Sequence, residues 1–201
     1  FSAAGIALAS ATSGTTLISN NIVYGVTANG TSGDINAGIF LGGGAGSTTN
    51  IYHNSVWMNG TITGSTSGSQ SSLALSIGGS APTVNVKNNI FRNTQLPNTG
   101  GTTKFYAIGT AYSSTTGNYA GLVSENNILD VASGAAYFIG ITNGLVSGTT
   151  RLAIADWRTE TGGDLLSQQI NPQFHTQFNL HVLPTSPASN AGSDLTSIVS
   201  L

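Results

Sequence analysis

The chain has 201 residues, of which 5 are Lys or Arg and 7 are Asp or Glu, for a formal net charge of −2. A balance so close to neutral lacks the basic footprint of a nucleic-acid or anionic-membrane partner. There is no cysteine, hence no disulfide and no thiolate metal site, and no apolar stretch reaches the roughly 20 residues that a membrane helix needs.

Phe1 to Ala9 has no basic leader and already reads as a strand, so no signal peptide is expected here and further coils and domains of the same polypeptide are expected upstream. Short apolar runs bounded by Gly, Ser or Thr recur at 5–8, 38–41, 73–77, 105–108 and 137–139, the pattern of buried strands. Each of the first four is followed by an asparagine element. These read Ile18-Ser19-Asn20-Asn21-Ile22-Val23, Ile51-Tyr52-His53-Asn54-Ser55-Val56, Val86-Lys87-Asn88-Asn89-Ile90-Phe91 and Ser124-Glu125-Asn126-Asn127-Ile128-Leu129. Asn21, Asn54, Asn89 and Asn127 are spaced by 33, 35 and 38 residues, a period that calls for stacked repeats. Asn suits a sharp left-handed corner, and identical side chains stacked about 4.8 Å apart can bond to one another along the axis. The expected fold is all-β, a right-handed parallel β-helix of about five coils with an asparagine ladder.

The strand period of two then sorts inside from outside. Ile18, Ile51, Val86 and Ser124 should point inward, as should Val23, Val56, Phe91 and Leu129. Outward rows are Ser19, Tyr52, Lys87, Glu125 and Tyr24, Trp57, Arg92, Asp130. These rows place Lys87 beside Glu125 and Arg92 beside Asp130, each pair contributing ~0–1 kcal/mol if exposed. Length differences fall in polar stretches at 27–36, 60–72, 93–104 and 132–135, which read as projecting loops. Gly42-Gly43-Gly44 lacks the Lys and helix of a phosphate loop and reads as a tight corner.

Past residue 148 the pattern changes. Arg151 to Gly162 carries apolar residues at helical spacing, with Thr149 or Thr150 as N-cap and Gly162 as the stop. The chain divides into coils at 1–148 and a helical and irregular capping segment at 149–201, which shields strand edges that would otherwise recruit other chains.

The asparagine corners make residues 1–145 resemble the pectate-lyase-like superfamily of parallel β-helices. Leu152-Ala153-x-x-x-Trp157, Gly162-x-Asp164, Asn171-Pro172-x-Phe174 and Leu180-x-x-Leu183-Pro184-x-Ser186-Pro187-Ala188-x-Asn190-Ala191-Gly192 are similar to the closing segment of secreted bacterial β-helix proteins. The resemblance implies a secreted or cell-surface location, bacterial origin and, in some members, polysaccharide degradation. A lyase of this kind would use a Lys or Arg base and an acidic calcium cluster. The basic residues on the coils are Lys87, Arg92 and Lys104 and the acids Asp34, Glu125 and Asp130, with no close carboxylate group and no Asp-x-x-Asp pair. No catalytic residue, metal or cofactor is therefore assigned.

Tyr24, Tyr52, Trp57, Lys87 and Arg92 are the candidate carbohydrate-binding residues: aromatics that stack on sugar rings beside donors for hydroxyls. The competing reading packs Trp57 and Tyr24 under a loop or in cross-strand pairs. His53 stands where other coils have a corner Asn, and His175 and His181 have no companions at ligand spacing. Asp156, Glu160 and Asp164 suggest a cation site but read better as a solvated helix face. Asn29-Gly30-Thr31 and Asn59-Gly60-Thr61 match the glycosylation pattern, which Asn-Gly turns explain equally. The expected function is a non-catalytic extracellular stalk or adhesin with polysaccharide or cell-surface glycan as partner. The alternative is the C-terminal part of a polysaccharide lyase or hydrolase. The third reading is an ice-binding solenoid, for which only Thr61-Ile62-Thr63 has the required pattern.

Overall fold

The computed structural model describes residues 3–28, 33–62, 70–79, 82–112 and 118–196. Residues 29–32 and 63–69, and with them Asn29-Gly30-Thr31 and Thr63, lie outside the described residues. The first coil comprises β1 (Ala3–Leu8), β2 (Ser13–Ser19) and β3 (Ile22–Tyr24). The second is β4 (Ile35–Leu41), β5 (Gly46–Tyr52) and β6 (Ser55–Met58), and the third β7 (Ser71–Ile77), β8 (Thr83–Lys87) and β9 (Ile90–Asn93). The fourth is β10 (Lys104–Thr110), β11 (Leu122–Glu125) and β12 (Ile128–Val131), followed by β13 (Tyr137–Thr142) and β14 (Thr149–Arg151).

Corresponding strands stack into three sheets, here A (β1-β4-β7-β10-β13-β14), B (β2-β5-β8-β11) and C (β3-β6-β9-β12). Pairing is parallel except between β13 and β14. This is a parallel β-helix of about four turns. It has four rather than five turns because only sheet A receives a fifth parallel strand before β14 runs back along it.

Both inward rows are in register. Ile18 pairs with Ile51 and Ile51 with Val86, while Val23 pairs with Val56 and Val56 with Phe91. Ile51, Val56, Val86, Phe91 and Leu129 are wholly buried in one continuous core. Each fully buried aliphatic side chain is worth roughly 1.5–3 kcal/mol, so core burial dominates the coil-to-coil interface. Gly42-Gly43-Gly44 forms the corner from β4 to β5, where the Gly42 N–H donates to Leu8 O at 2.7 Å and the Gly44 N–H to Ala11 O at 2.7 Å.

The cap holds α1 (Ile154–Thr161) and a hairpin of β15 (Phe174–Thr176) and β16 (Asn179–Val182). The helix is shorter than its apolar spacing predicts: Thr149 and Thr150 belong to β14, and the N-cap is Ala153. Asp156 reaches back to accept the Ala153 N–H at 3.0 Å, the reciprocal half of a capping box, while Ala153 itself has no side-chain oxygen to cap the first turn. Gly162 ends the helix at φ 72°, the expected left-handed stop. Trp157 is fully buried and lies on Gly140, where an added Cβ would come within 2.3 Å of the ring. Only a residue without a side chain lets the helix seat its indole there.

Candidate functional site

The corner between sheets B and C is the most ordered polar feature of the fold. Left-handed backbone occurs at Asn20, His53, Asn88 and Asn126, with φ of 55–59°, one residue before the stacking positions. Asn and His are the non-glycine types that tolerate this region best, so His53 does serve as a corner residue in place of Asn. The next residue forms the ladder. Nδ2 of Asn21 donates to Asn54 Oδ1 at 2.9 Å, Asn54 to Asn89 at 2.9 Å and Asn89 to Asn127 at 3.0 Å.

The ladder ends on Asp164. Asn127 Nδ2 donates to its Oδ1 at 3.1 Å, Ser167 Oγ donates to the same oxygen at 2.5 Å, and Trp157 Nε1 donates to Oδ2 at 2.8 Å. Asp164 is wholly buried with φ 58°, so it sits in the interior as the acidic terminus of the ladder rather than on a solvated helix face. The position in register with the rungs is Ser167, whose Oγ accepts the Asn127 N–H at 2.8 Å, so Asp164 and Ser167 together take the place of the next asparagine. Glu160, by contrast, pairs with Arg151 at 2.7 Å and accepts the Tyr119 hydroxyl at 2.9 Å. Asp156, Glu160 and Asp164 thus serve three separate protein partners, and no group of His, Asp and Glu suited to a metal occurs among the described residues.

The outward row of sheet C is present in register, Tyr24 to Trp57, Trp57 to Arg92 and Arg92 to Asp130. The chain's own hairpin lies on it. Phe174 packs on Trp57 with ring centroids 5.7 Å apart, and Phe178 meets Tyr24 edge-on at 5.8 Å. Arg92 stacks over the Trp57 ring at 4.7 Å and donates to Asn171 Oδ1 at 2.5 Å, while Trp57 Nε1 donates to Thr94 Oγ1 at 2.7 Å. Trp57 and Arg92 therefore have their stacking and donor capacity engaged inside the molecule. Tyr24 stays 43% exposed and Phe178 68%.

On sheet B the neighbouring row is closed in another way. Tyr52 is only 4% exposed, packed against Leu195 of the C-terminal tail, and Asn88 holds that tail through the Ser193 N–H at 2.8 Å and carbonyl at 2.6 Å. Lys87 and Glu125 are register partners, but Glu125 accepts the Leu166 N–H at 2.8 Å. Lys87, Arg92 and Lys104 stand on sheets B, C and A respectively, so the three candidate bases do not converge. Lys104 lies over the Phe138 ring at 5.7 Å. His175 and His181 are exposed on the hairpin. Asn59 of the second glycosylation motif is 8% exposed, which removes it from easy modification, and its main-chain carbonyl accepts Gln95 Nε2 at 3.2 Å. Thr15, Thr48 and Thr83 align in one outward column of sheet B, but the column two residues on reads Leu17, Asn50, Asn85, so a Thr-x-Thr array does not develop there.

The pair under the hairpin carries a pH signature. Arg92 Nε approaches Asp130 Oδ2 at 3.2 Å, outside hydrogen-bond geometry, so the contact is Coulombic. Burial lowers the Arg92 guanidinium, with Asp130 opposing. Burial pushes the Asp130 carboxyl up from 3.8 to about 6, against the pull of Arg92 and the Val131 N–H. A folded value above the unfolded one means that the folded chain holds the proton longer. The stability this contributes is complete below about pH 4 and lost as pH rises through about 6. Relative to Asp130→Asn, the wild-type urea midpoint should fall across that window, by the equivalent of at most ~3 kcal/mol. A difference between the two chains that stays constant with pH would show the carboxyl to be solvated.

Comparison with family models, with curated proteins and with solved structures returns no match.

Proposed function

We propose that this chain is a non-catalytic extracellular β-helix module, secreted or displayed on a bacterial surface as a rigid stalk or adhesin, and that it descends from the pectate-lyase-like superfamily. The observation that carries the reading is the closure of the rod on itself. The ladder runs unbroken from Asn21 to Asp164, and hairpin and tail are strapped across two of its three faces. Covering the outward aromatic and basic residues with the chain's own cap stiffens the rod and spends the groups that an active site would use. Proteinase K at 37 °C should leave the described core intact over hours, and a panel of uronic-acid polymers should yield no ultraviolet-absorbing unsaturated product. Product formation that disappears in Lys87→Ala, Arg92→Ala or Lys104→Ala would favour the polysaccharide lyase instead.

The adhesive part of this reading concerns polysaccharide, and it narrows to the aromatic pair left open, Tyr24 and Phe178. Stacking on a sugar needs a free ring face, which Trp57 does not offer. Binding to immobilised polysaccharide should weaken at least about tenfold in Tyr24→Ala and in Phe178→Ala, a loss equivalent to about 1.4 kcal/mol per tenfold. Equal binding by both variants would exclude this pair as the contact.

A further inference from the structure

Where the coils meet the closing segment, the surface is indented. The cleft at Glu125 and Gly163 has a volume of about 160 Å³ and that at His53, Asn88 and Ala188 about 180 Å³. Both fall below the roughly 300–1,000 Å³ of small-molecule sites. The cleft at Tyr137 reaches about 370 Å³. It is walled by residues 131–134, by Tyr137 at the start of β13, and by Leu152, Ala153 and Gln169 of the closing segment.

Tyr137 brings a ring to this cleft and no donor. Phe105 stacks on one face of the ring, with centroids 5.0 Å apart, and the hydroxyl donates to Gln95 O at 2.8 Å. Phe105 does not line the cleft, which meets the ring from the cap side, where Leu152 and Ala153 lie. Gly134, at φ 138°, stands so close that an added Cβ would come within 3.2 Å of the ring, so a side chain there would crowd it. Leu152 is 65% exposed, an apolar side chain that folding leaves in the wall of the cleft. Polar groups complete the wall. Gln169 Oε1 accepts the Ile154 N–H at 3.0 Å, which fixes the amide and leaves Nε2 without an acceptor among the described residues, and Ser133 adds an exposed hydroxyl. None of the lining residues is charged. The charged groups next to them in the chain are engaged: Asp130 faces Arg92, Arg151 pairs with Glu160, and Asp156 accepts the Ala153 N–H.

We propose that this cleft is a subsite for one neutral pyranose unit of a polysaccharide, with a C–H face of the sugar on Tyr137 and Leu152 and its hydroxyls meeting Gln169 Nε2 and Ser133 Oγ. The assignment rests on the carbohydrate part of the proposed function. It goes beyond that part by making the ligand uncharged and by placing it at the cap, away from Tyr24 and Phe178. A pyranose has what these walls ask for, an apolar ring face edged by hydroxyls. A wholly apolar ligand would leave the Gln169 amide unanswered. A uronic acid would bring its carboxylate to walls that hold no counter-charge, losing hydration without a partner.

The test titrates the full chain with methyl glycosides of glucose, galactose and mannose, with galacturonate as the charged control, and follows the Tyr137 ring and Leu152 methyl signals by NMR. At least one neutral glycoside should shift both signals, and galacturonate should bind at least about fivefold more weakly. Tyr137→Leu and Leu152→Ser should each weaken the neutral sugar by about tenfold. Gln169→Glu keeps the acceptor for Ile154 and removes the donor, and should weaken it by about fivefold. Tyr137→Phe keeps the ring and should leave binding unchanged. Leu152 and Gln169 are exposed, so their variants keep the fold even where Tyr137→Leu loosens the coil. Sugar that shifts Tyr24 and Phe178 but not Tyr137 would overturn this subsite and leave the proposed function standing. No shift from any sugar, together with no binding to immobilised polysaccharide, would overturn both. Galacturonate binding more tightly than the neutral glycosides would overturn the ligand class.

Discussion

Replacing Asp164 with alanine is expected to lower the stability of the fold by about 3–5 kcal/mol, the scale for a buried, multiply bonded charged group losing its role. The side chain accepts from Asn127 Nδ2, Ser167 Oγ and Trp157 Nε1, and Asn127 and Trp157 are both at 0% exposure. Truncation leaves these donors buried and without an acceptor, and puts alanine at φ 58°, a region costing a non-glycine residue of order 1 kcal/mol. The loss should begin at the cap. Arg158 Nε donates to Asp164 O at 2.8 Å, so loosening this turn also frees the helix C-terminus. Asp164→Asn keeps one acceptor and tolerates the backbone, and should cost less than half as much. Urea unfolding followed by tryptophan fluorescence reads this directly, since Trp157 moves from a buried site to water. An Asp164→Ala chain as stable as wild type would mean that the ladder needs no terminator.

Asn89→Ala should be nearly as damaging, at about 3–4 kcal/mol, whereas Asn21→Ala should cost only about 1 kcal/mol. Asn89 is 1% exposed and stands between two rungs. It donates to Asn127 Oδ1, Ile51 O and Lys87 O, and accepts from the N–H and Nδ2 of Asn54. Asn21 is half-buried, its partners on one side only, so water can replace much of what it loses. The contrast between two identical substitutions separates ladder energetics from intrinsic turn preference, because the left-handed residue of each corner is the preceding one, Asn88 or Asn20. Equal losses at the two sites would argue that each asparagine acts only within its own turn.

Local pattern carried the repetitive part of this fold into the sequence, and long-range closure was carried nowhere. Ile18, Ile51 and Val86 could be placed inside, and Trp57 beside Arg92, because every coil repeats the same choice between core and solvent at the same offset from its asparagine. The hairpin over sheet C has no such signal. Its contacts join Trp57 to Phe174, Tyr24 to Phe178 and Arg92 to Asn171, residues far apart in the chain that share no period. An outward aromatic awaiting a ligand and one awaiting the chain's own cap look alike in sequence. Tyr52 shows the same ambiguity, resolved by Leu195. Thr149 and Thr150 have good capping chemistry, but pairing with Ile141 and Thr142 in β13 outweighs it. Asp164 reads from the sequence as part of a solvated helix face because nothing local marks an acid for burial; only the convergence of Asn127, Ser167 and Trp157 makes its burial tolerable.

Because the chain has no cysteine of its own, engineered pairs give a clean ruler for the stacking of coils in register. Thr48 partners Thr15 on one side and Thr83 on the other, all on the outward face of sheet B. Neighbours one strand spacing apart, about 4.8 Å, fall inside the roughly 4.4–6.8 Å Cα window for a disulfide. Thr15 and Thr83, two spacings apart at roughly 9.6 Å, lie beyond it. Under mild oxidation the Thr15→Cys/Thr48→Cys and Thr48→Cys/Thr83→Cys chains should each close an intramolecular disulfide while Thr15→Cys/Thr83→Cys remains reduced. Closure of the 15–83 pair, or failure of both adjacent pairs, would contradict the in-register stack.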